Sequence, residues 1–344
     1  MKILLTFALV AIMSVGSLFA QSSAQVGTYI DGVAVIKKNG KYGIIDLNRR
    51  ELTPTIYNSI APFVDGIAKV QKNGYFGCIN VMGVEVIAPI YDSIWAFGNG
   101  IAKVKKNGQF GLINRNGKEV VGTIYDVISD FDDGVAKVYK RGRVGLINMA
   151  GMELASCIYT YIYDFVNKIA PVYKDGRFGF IDNTGNTLAP NIYSKVAPFN
   201  SEGLAFVERE GRYGFVNYSG QEVVPCVYNQ VSTFVNGISR VCRNSSYGFV
   251  NLMGQEFVPT IYDEVSEFSG GVASVEVAGR YGVIDIQGRT IVTPSYGTAA
   301  EALAAVGHVI GVKEDMRGNN ANTSRRRVSS ASSSKKNIVQ RANN

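Results

Sequence analysis

The stretch Gly100 to Phe131, GIAKVKKNGQFGLINRNGKEVVGTIYDVISDF, decides the fold because altered copies of it fill most of the chain. Its clearest marker is a glycine that follows an aromatic or apolar residue. This glycine recurs every 34 residues, once after 35, at Gly43, Gly77, Gly111, Gly145, Gly179, Gly214, Gly248 and Gly282. Such a fixed period is typical of repeat proteins, in which each unit buries its apolar face only against its neighbours. The sequence therefore predicts eight tandem units.

Each unit contains four short apolar runs separated by three turn signals. In the unit that begins at Tyr125, the turns fall at Asp133-Gly134, Arg141-Gly142 and Ala150-Gly151. Asp and Gly accept the positive φ of tight hairpins, so we expect a four-stranded antiparallel meander of about 34 residues per unit. Prolines recur between units, and we expect them to mark breaks where the chain crosses to the next sheet, because proline cannot donate to a ladder. They are Pro54, Pro190, Pro225 and Pro259.

The predicted class is all-β, and two arrangements of the eight units fit it. Four strands per unit resemble a propeller blade, which favours a propeller-like ring. The period of 34 residues is shorter than the roughly 40–50 of familiar propeller blades, which favours an open curved β-solenoid. Both arrangements remain open from the sequence.

The N-terminal segment 1–24 has the form of a secretory signal peptide. Lys2 precedes the apolar run ILLTFALVAIM, and small residues follow, with cleavage expected after Ala20 or Ala24. The run is too short for a comfortable membrane span, which needs about 20 residues. We therefore expect an exported protein, in the periplasm, on the outer surface or secreted, with no transmembrane span after cleavage.

The C-terminal region changes character after the repeat domain, which we place at 25–297. The segment TAAEALAAVGHVI, from Thr298 to Ile310, predicts a short helical cap over 298–316. Residues 317–344 are rich in Asn, Ser and Arg with almost nothing apolar to bury, which predicts a basic disordered tail.

The net charge of +7 comes mostly from this tail. From Lys313 onward eight cations face two acids, so the repeat body is close to neutral and no nucleic-acid partner is expected. The tail could instead contact an anionic cell-surface polymer. The cations proposed for that contact are Arg325, Arg326, Arg327, Lys335 and Lys336.

The chain lacks the sequence motifs of common catalytic and metal sites. It has no HExxH, GxSxG, P-loop or CxxC pattern, and its one histidine, His308, lies outside the repeats. We predict no enzyme, no catalytic residue, no metal and no cofactor. A row of acids and amides three residues after each marker glycine could form a calcium ladder, but its many neutral Asn residues favour a turn role. The row is Asp46, Asn80, Asn114, Asn148, Asp182, Asn217, Asn251 and Asp285.

Aromatic residues also repeat, with a Tyr six residues before a Phe, as in Tyr57 and Phe63. An even spacing places both on one face of a strand, and core packing is favoured over a stacking surface. Trp95 differs, because it stands where other units carry Ala or Ser, and Tyr163 occupies the matching site two units later. Trp95 and Tyr163 are therefore candidate ligand contacts.

Three lysines, Lys69, Lys103 and Lys137, share one register and could form a stripe for an acidic ligand. Solvated lysines that discourage edge pairing explain the same pattern. Four cysteines do not make a disulfide scaffold, although a Cys226–Cys242 pair is conceivable.

These units resemble WG repeats, also called KWG repeats, of exported bacterial proteins. The resemblance covers about Tyr29 to Tyr296 and rests on units such as GLAFVEREGRYGFVNYSGQEVVPCVYNQVSTF. The Trp-Gly dipeptide of the family is Tyr-Gly or Phe-Gly here, and Val144-Gly145 in one unit, so an aromatic usually stays beside the glycine. The resemblance implies β-rich repeats and no established activity.

The leading functional hypothesis is an exported, non-catalytic β-repeat protein that binds a protein or glycan at the bacterial envelope or outside it. The alternative is a structural or adhesive envelope component held by its basic C-terminal tail. A carboxylate-dependent glycan hydrolase is a third possibility.

Overall fold

The computed structural model describes residues 24–307 of the chain. The predicted signal segment up to residue 23 and the predicted basic tail lie outside the described residues. By its internal contacts the chain divides into two compact units, residues 1–153 and 154–344. Each unit is described by itself below.

The first unit begins with three complete sheets and the first three strands of a fourth. The first sheet contains β1 (Gln25–Val26), β2 (Val33–Lys38), β3 (Lys41–Asp46) and β4 (Glu51–Tyr57). The second contains β5 (Ser59–Ile60), β6 (Ile67–Lys72), β7 (Tyr75–Asn80) and β8 (Glu85–Tyr91). The third contains β9 (Ser93–Ile94), β10 (Ile101–Lys106), β11 (Gln109–Asn114) and β12 (Glu119–Tyr125). The fourth begins with β13 (Val127–Ile128), β14 (Val135–Lys140) and β15 (Arg143–Asn148).

The second unit continues the same series. The fourth sheet ends with β16 (Glu153–Tyr159), whose first residue belongs to the first unit. The fifth contains β17 (Tyr161–Ile162), β18 (Ile169–Lys174), β19 (Arg177–Asp182) and β20 (Thr187–Tyr193). The sixth contains β21 (Lys195–Phe199), β22 (Leu204–Arg209), β23 (Arg212–Asn217) and β24 (Glu222–Tyr228). The seventh contains β25 (Gln230–Val231), β26 (Ile238–Arg243), β27 (Ser246–Asn251) and β28 (Glu256–Tyr262). The eighth contains β29 (Glu264–Val265), β30 (Val272–Val277), β31 (Arg280–Asp285) and β32 (Thr290–Tyr296).

The predicted all-β class and the eight antiparallel four-stranded meanders are confirmed. A typical sheet has a two-residue first strand, two six-residue strands and a seven-residue fourth strand. The first strand is shorter than its apolar run predicted: of the run YDVISDF, only Val127 and Ile128 form a strand. The choice between a ring and an open array stays a prediction.

The turn between the second and third strands is a two-residue hairpin. In the third sheet it is Asn107-Gly108, with φ of 52° and 82°. Positive φ at both positions defines a type I′ turn, whose twist matches that of the flanking strands. The Asn-Gly sequence therefore sets the register in which Lys106 pairs with Gln109 and Lys105 with Phe110.

The turn between the third and fourth strands is built by the row of acids and amides. In the third sheet the Asn114 Oδ1 atom accepts hydrogen bonds from the backbone N–H groups of Asn116 and Lys118, both at 3.0 Å. Asp46 makes the same pair of bonds in the first sheet. These side chains satisfy backbone donors of the turn, as the turn interpretation of the row predicted.

The marker glycines lie opposite an irregularity in the fourth strand. A Cβ atom on Gly77 would be 2.5 Å from the carbonyl oxygen of Ile87 and 2.7 Å from the nitrogen of Pro89. The pairing of β7 with β8 shifts its register at this point, between Phe76 and Cys78. Only glycine allows the strands to approach this closely.

The prediction that the repeated prolines mark breaks between sheets is wrong. Pro54 lies inside β4 and Pro190 inside β20, and Pro225 and Pro259 occupy the same place in β24 and β28. The fourth strand is the last of its sheet and carries the irregularity opposite the marker glycine. An edge strand with a bulge tolerates the missing N–H of proline.

The core lies between consecutive sheets. Ile44 and Tyr57 of the first sheet pack with Ala68, Val70 and Ile79 of the second, and all five are at most 1% exposed. The repeated tyrosines that end the fourth strands are thus core residues, as expected. The expectation that each shares a strand face with the Phe six residues later is wrong, because Tyr57 ends β4 whereas Phe63 follows the short strand β5.

Buried tyrosines also link consecutive sheets through a repeated carboxylate. The Tyr57 hydroxyl donates to Glu85 Oε1 at 2.8 Å, and Lys72 lies 3.7 Å from the same oxygen. Burial and the Glu85 carboxylate raise the pKa of Tyr57 well above its usual value. The same arrangement recurs in the second unit with Tyr193, Glu222 and Arg209 and with Tyr228, Glu256 and Arg243.

A second set of glycines brings each turn against the preceding sheet. Gly117 has φ of 75°, and a Cβ on it would lie 2.5 Å from the carbonyl oxygen of Val86 in β8. Gly83, Gly151, Gly185, Gly220, Gly254 and Gly288 make the corresponding approach in other sheets. The backbone contact between neighbouring sheets therefore depends on the absence of a side chain at this turn position.

A helix, α1, spans 299–307 within the described residues. Its fully buried Ala302 packs against Val283 and Val292 of the last sheet.

The four cysteines form no disulfide bond, so Cys226 and Cys242 are not paired.

Candidate functional site

Trp95 lies directly after β9 in the first unit and is held by its backbone. Its N–H donates to the carbonyl oxygen of Lys103 at 3.0 Å. The indole is 42% exposed, a large apolar area to leave in contact with water. The Trp95 ring centroid lies 5.6 Å from that of Phe110. Lys103 Nζ lies 5.8 Å from the Trp95 ring centroid, within cation–π range.

Two grooves meet at Trp95. The first, of about 340 Å³, lies between the second and third sheets, and Ile67, Ile94 and Phe97 contribute to its apolar lining. The second, of about 330 Å³, lies between the third and fourth sheets and is lined by residues that include Leu112 and Ile128. Trp95 lines both grooves, so a ligand in either one would contact the indole.

The lysines of the predicted stripe reach from one sheet to the next. Lys69 Nζ donates to the carbonyl oxygen of Ile94 at 3.2 Å, and Lys103 Nζ donates to that of Ile128 at 3.1 Å. Lys103 also pairs with Asp130 at 3.0 Å. Their ammonium groups therefore tie consecutive sheets together at the rims of the two grooves.

Lys137 occupies the same register as these lysines, on β14 opposite Leu146. Arg240 repeats the arrangement in the second unit, where its Nη1 donates to the carbonyl oxygen of Val265 at 3.3 Å. At this register Lys69, Lys103 and Arg240 each reach the sheet that follows their own.

Arg115 is a groove residue that the sequence interpretation missed. Its Nη2 lies 2.6 Å from Asp65 Oδ2, and its guanidinium lies 5.6 Å from the Phe97 ring centroid. Asp65 is 50 residues earlier in the chain, so no local sequence pattern predicts the pair. The signal in the sequence was that Arg115 stands where most other units have an apolar or aromatic residue at this turn position, such as Met149.

Cys78 lines the floor of the first groove and is only 2% exposed. Burial raises the pKa of its thiol to about 11, and nearby Lys69 opposes this only in part. The thiol therefore stays protonated at neutral pH and acts as an apolar wall of the groove.

Tyr163 lies in the second unit, at the position that Trp95 occupies in the third sheet. It is 47% exposed, and its ring centroid lies 6.1 Å from that of Phe178 and 6.4 Å from that of Tyr161. Tyr163 is thus part of a separate aromatic cluster. The predicted contacts Trp95, Lys69 and Lys103 come together in the first unit, and Tyr163 belongs to the second.

The described parts of the two units differ in charge. Residues 24–153 carry sixteen Lys and Arg against twelve Asp and Glu, and residues 154–307 carry ten against fourteen. The surface around Trp95 therefore belongs to the more basic unit.

Within residues 24–307, no group of three or more His, Cys, Asp or Glu side chains is arranged to hold a metal ion. No helix in that range has the length and apolar character of a membrane span.

Similar solved structures share little sequence with this chain. The extracellular domain of a hybrid two-component system from B. thetaiotaomicron is 10% identical, with a TM-score of 0.32, and the match covers 79% of this chain and 45% of that one. PorZ, a surface component of the type-IX secretion system of Porphyromonas gingivalis, is 12% identical, with a TM-score of 0.23 and coverage of 72% and 40%. Hsv2p of Kluyveromyces lactis is 6% identical, with a TM-score of 0.23 and coverage of 63% and 88%. The chain thus spans less than half the length of the first two structures.

A comparison with curated proteins finds no match. The family model described as WG containing repeat matches seven consecutive segments, which are 42–76, 76–109, 110–143, 145–178, 178–213, 213–245 and 247–281. These segments cover well over half of the 344 residues and follow the period of the marker glycines. The chain therefore belongs to the family of WG-repeat proteins.

Proposed function

We propose that this WG-repeat protein is an exported, non-catalytic binding protein of the bacterial envelope or the extracellular space. Its binding site is the pair of grooves beside Trp95, and its ligand is a protein or a glycan. The observation that carries the proposal is a half-exposed indole that forms a wall of two adjacent grooves. An apolar concave surface with a few fixed polar groups is the usual form of a ligand site.

Lys103 and Arg115 give these grooves their polar groups. Lys103 lies at the indole with its ammonium bound to Ile128 and Asp130, and Arg115 is fixed by Asp65 over Phe97. Cations held in this way can donate a further hydrogen bond to an acceptor on a ligand without losing their orientation, because each has additional N–H groups. The signal-like N-terminal sequence supports export.

Trp95→Ser is expected to weaken ligand binding about 30-fold, since a buried Trp at the centre of an interface contributes on the order of 2 kcal/mol. Three other units have a serine at this position, namely Ser129, Ser232 and Ser266, so the variant should fold. The measurement is binding of the purified protein to an array of bacterial glycans, to peptidoglycan and to envelope protein extracts.

Tyr75→Ala is the matched control, because Tyr75 is 48% exposed on the second sheet and lines neither groove. Equal binding by the wild type and Trp95→Ser would contradict a site at the indole. Hydrolysis of a bound glycan would replace the binding role with the carboxylate-dependent hydrolase.

The basic tail supports a second role, attachment to an anionic polymer of the cell surface. Removing 317–344 is expected to release the protein from the envelope fraction at moderate salt, since it deletes Arg325, Arg326, Arg327, Lys335 and Lys336. The measurement is fractionation of cells at increasing ionic strength. A truncated protein that fractionates like the full chain would argue against this anchor.

A further inference from the structure

The fifth sheet carries four aromatic rings at one face, here called the aromatic face: Tyr161, Tyr163, Tyr173 and Phe178. Tyr161 pairs directly with Tyr173, and Tyr173 pairs with Phe178, so these three side chains share a face of the sheet. Tyr163 follows Tyr161 by two residues. Neighbouring ring centroids are 4.7–6.4 Å apart, which makes the four rings one contiguous patch.

Two of these rings face solvent. Tyr161 is 59% exposed and Tyr163 is 47% exposed, whereas six of the eight tyrosines that end fourth strands are at most 6% exposed. Among the described residues, neither phenol hydroxyl has a hydrogen-bond partner in the protein. Large exposed rings with free hydroxyls are typical of a surface that contacts a ligand.

The aromatic face is also unusual among the eight sheets in carrying no charge. Where the third sheet has Lys103 and Lys105, the fifth has Pro171 and Tyr173. The eighth sheet has Glu264 and Glu276 opposite each other at the positions of Tyr161 and Tyr173. The aromatic face therefore has uncharged side chains at positions where the other sheets carry charges.

We propose that the aromatic face binds a neutral polysaccharide. The C–H groups on the flat side of a sugar ring carry a small positive charge and stack on the negative face of an aromatic ring. The phenol hydroxyls of Tyr161 and Tyr163 can donate to or accept from the sugar hydroxyls. A charged ligand would lie on this face without a counter-charge, which is unfavourable.

The geometry and the charge of the second unit favour this partner. Neighbouring rings are inclined by 35–51°, so they present separate facets that suit successive, rotated sugar residues of one chain. The excess of acids in residues 154–307 disfavours acidic polysaccharides. No residue of the aromatic face lines the grooves beside Trp95.

The test is affinity electrophoresis of the purified protein in gels that contain mixed-linkage β-glucan, galactomannan, α-mannan or, as the acidic counterpart, polygalacturonate. The wild type is expected to be retarded by at least one neutral polymer and not by polygalacturonate. The double variant Tyr161→Ser/Tyr163→Ser should lose at least tenfold in affinity for that polymer, because it removes two stacking rings.

Serine is compatible with the fold at both positions, since Ser93 and Ser129 occupy them in the third and fourth sheets. Tyr75→Ala, which removes a similarly exposed but isolated ring, should bind like the wild type. Trp95→Ser should also bind like the wild type, which separates this site from the proposed grooves. The proposal is overturned if no neutral polymer retards the protein, or if the double variant is retarded as strongly as the wild type.

Discussion

Gly117→Ala is expected to destabilise the first unit by about 4 kcal/mol or more, whereas Gly108→Ala should cost only about 1 kcal/mol. Both glycines have positive φ, 75° and 82°, so both variants incur the strain of an alanine in the left-handed region. They differ in their surroundings: a Cβ on Gly117 would lie 2.5 Å from the carbonyl oxygen of Val86, while one on Gly108 meets nothing within 4 Å.

The difference between the two variants isolates the contact between consecutive sheets. The backbone of β8 cannot shift as a flexible side chain can, so in Gly117→Ala the turn that contains residue 117 must move away from β8. Urea denaturation followed by circular dichroism measures both free energies of unfolding. Similar losses of stability in the two variants would show that the third sheet does not rely on this close approach.

Raising the pH from 10 to 11 is expected to lower the free energy of unfolding by about 3 kcal/mol through Tyr57, Tyr193 and Tyr228 together. An unfolded tyrosine loses its proton near its usual pKa of 10. In the folded protein, burial and the partner carboxylates raise the pKa of all three. The stabilisation is therefore complete well below pH 10 and is lost as the pH rises through and above it, by about 1 kcal/mol for each tyrosine between pH 10 and 11.

Urea denaturation at pH 9, 10 and 11 measures this slope, and absorbance at 295 nm follows ionisation of the phenols. Tyr228→Phe should reduce the loss between pH 10 and 11 by about 1 kcal/mol, since it removes one phenol of raised pKa and leaves Arg243 paired with Glu256. A slope that is unchanged in Tyr228→Phe would mean that the Tyr228–Glu256 bond does not hold its proton in the folded state.

The periodic features of the fold could be predicted from the sequence. The spacing of Gly43 to Gly282 predicted the number of units, and pairs such as Asn107-Gly108 predicted the hairpins, because turns depend on a few local residues. The amides such as Asn114 were assigned correctly to turns for the same reason. Each of these features is determined by a few neighbouring residues whose pattern recurs along the repeats.

The features that the sequence did not reveal depend on contacts between units. Pro54 was placed at a break because an edge strand with an irregularity cannot be distinguished from a loop by composition. Lys69 and Lys103 could not be assigned to the carbonyl groups of the next sheet without its position. The Arg115–Asp65 pair spans 50 residues, so no local pattern predicts it.

The tyrosine–glutamate link has a consequence for how such a chain can evolve. Most copies of the unit carry a glutamate at the position where Glu85 accepts the hydroxyl of Tyr57 from the copy before, whereas the fifth and eighth copies carry Thr187 and Thr290 there. Duplicating a whole copy that has both the glutamate and the terminal tyrosine would therefore recreate the same pair at the new junction. Paralogues that lengthen by such copies can keep the same joints.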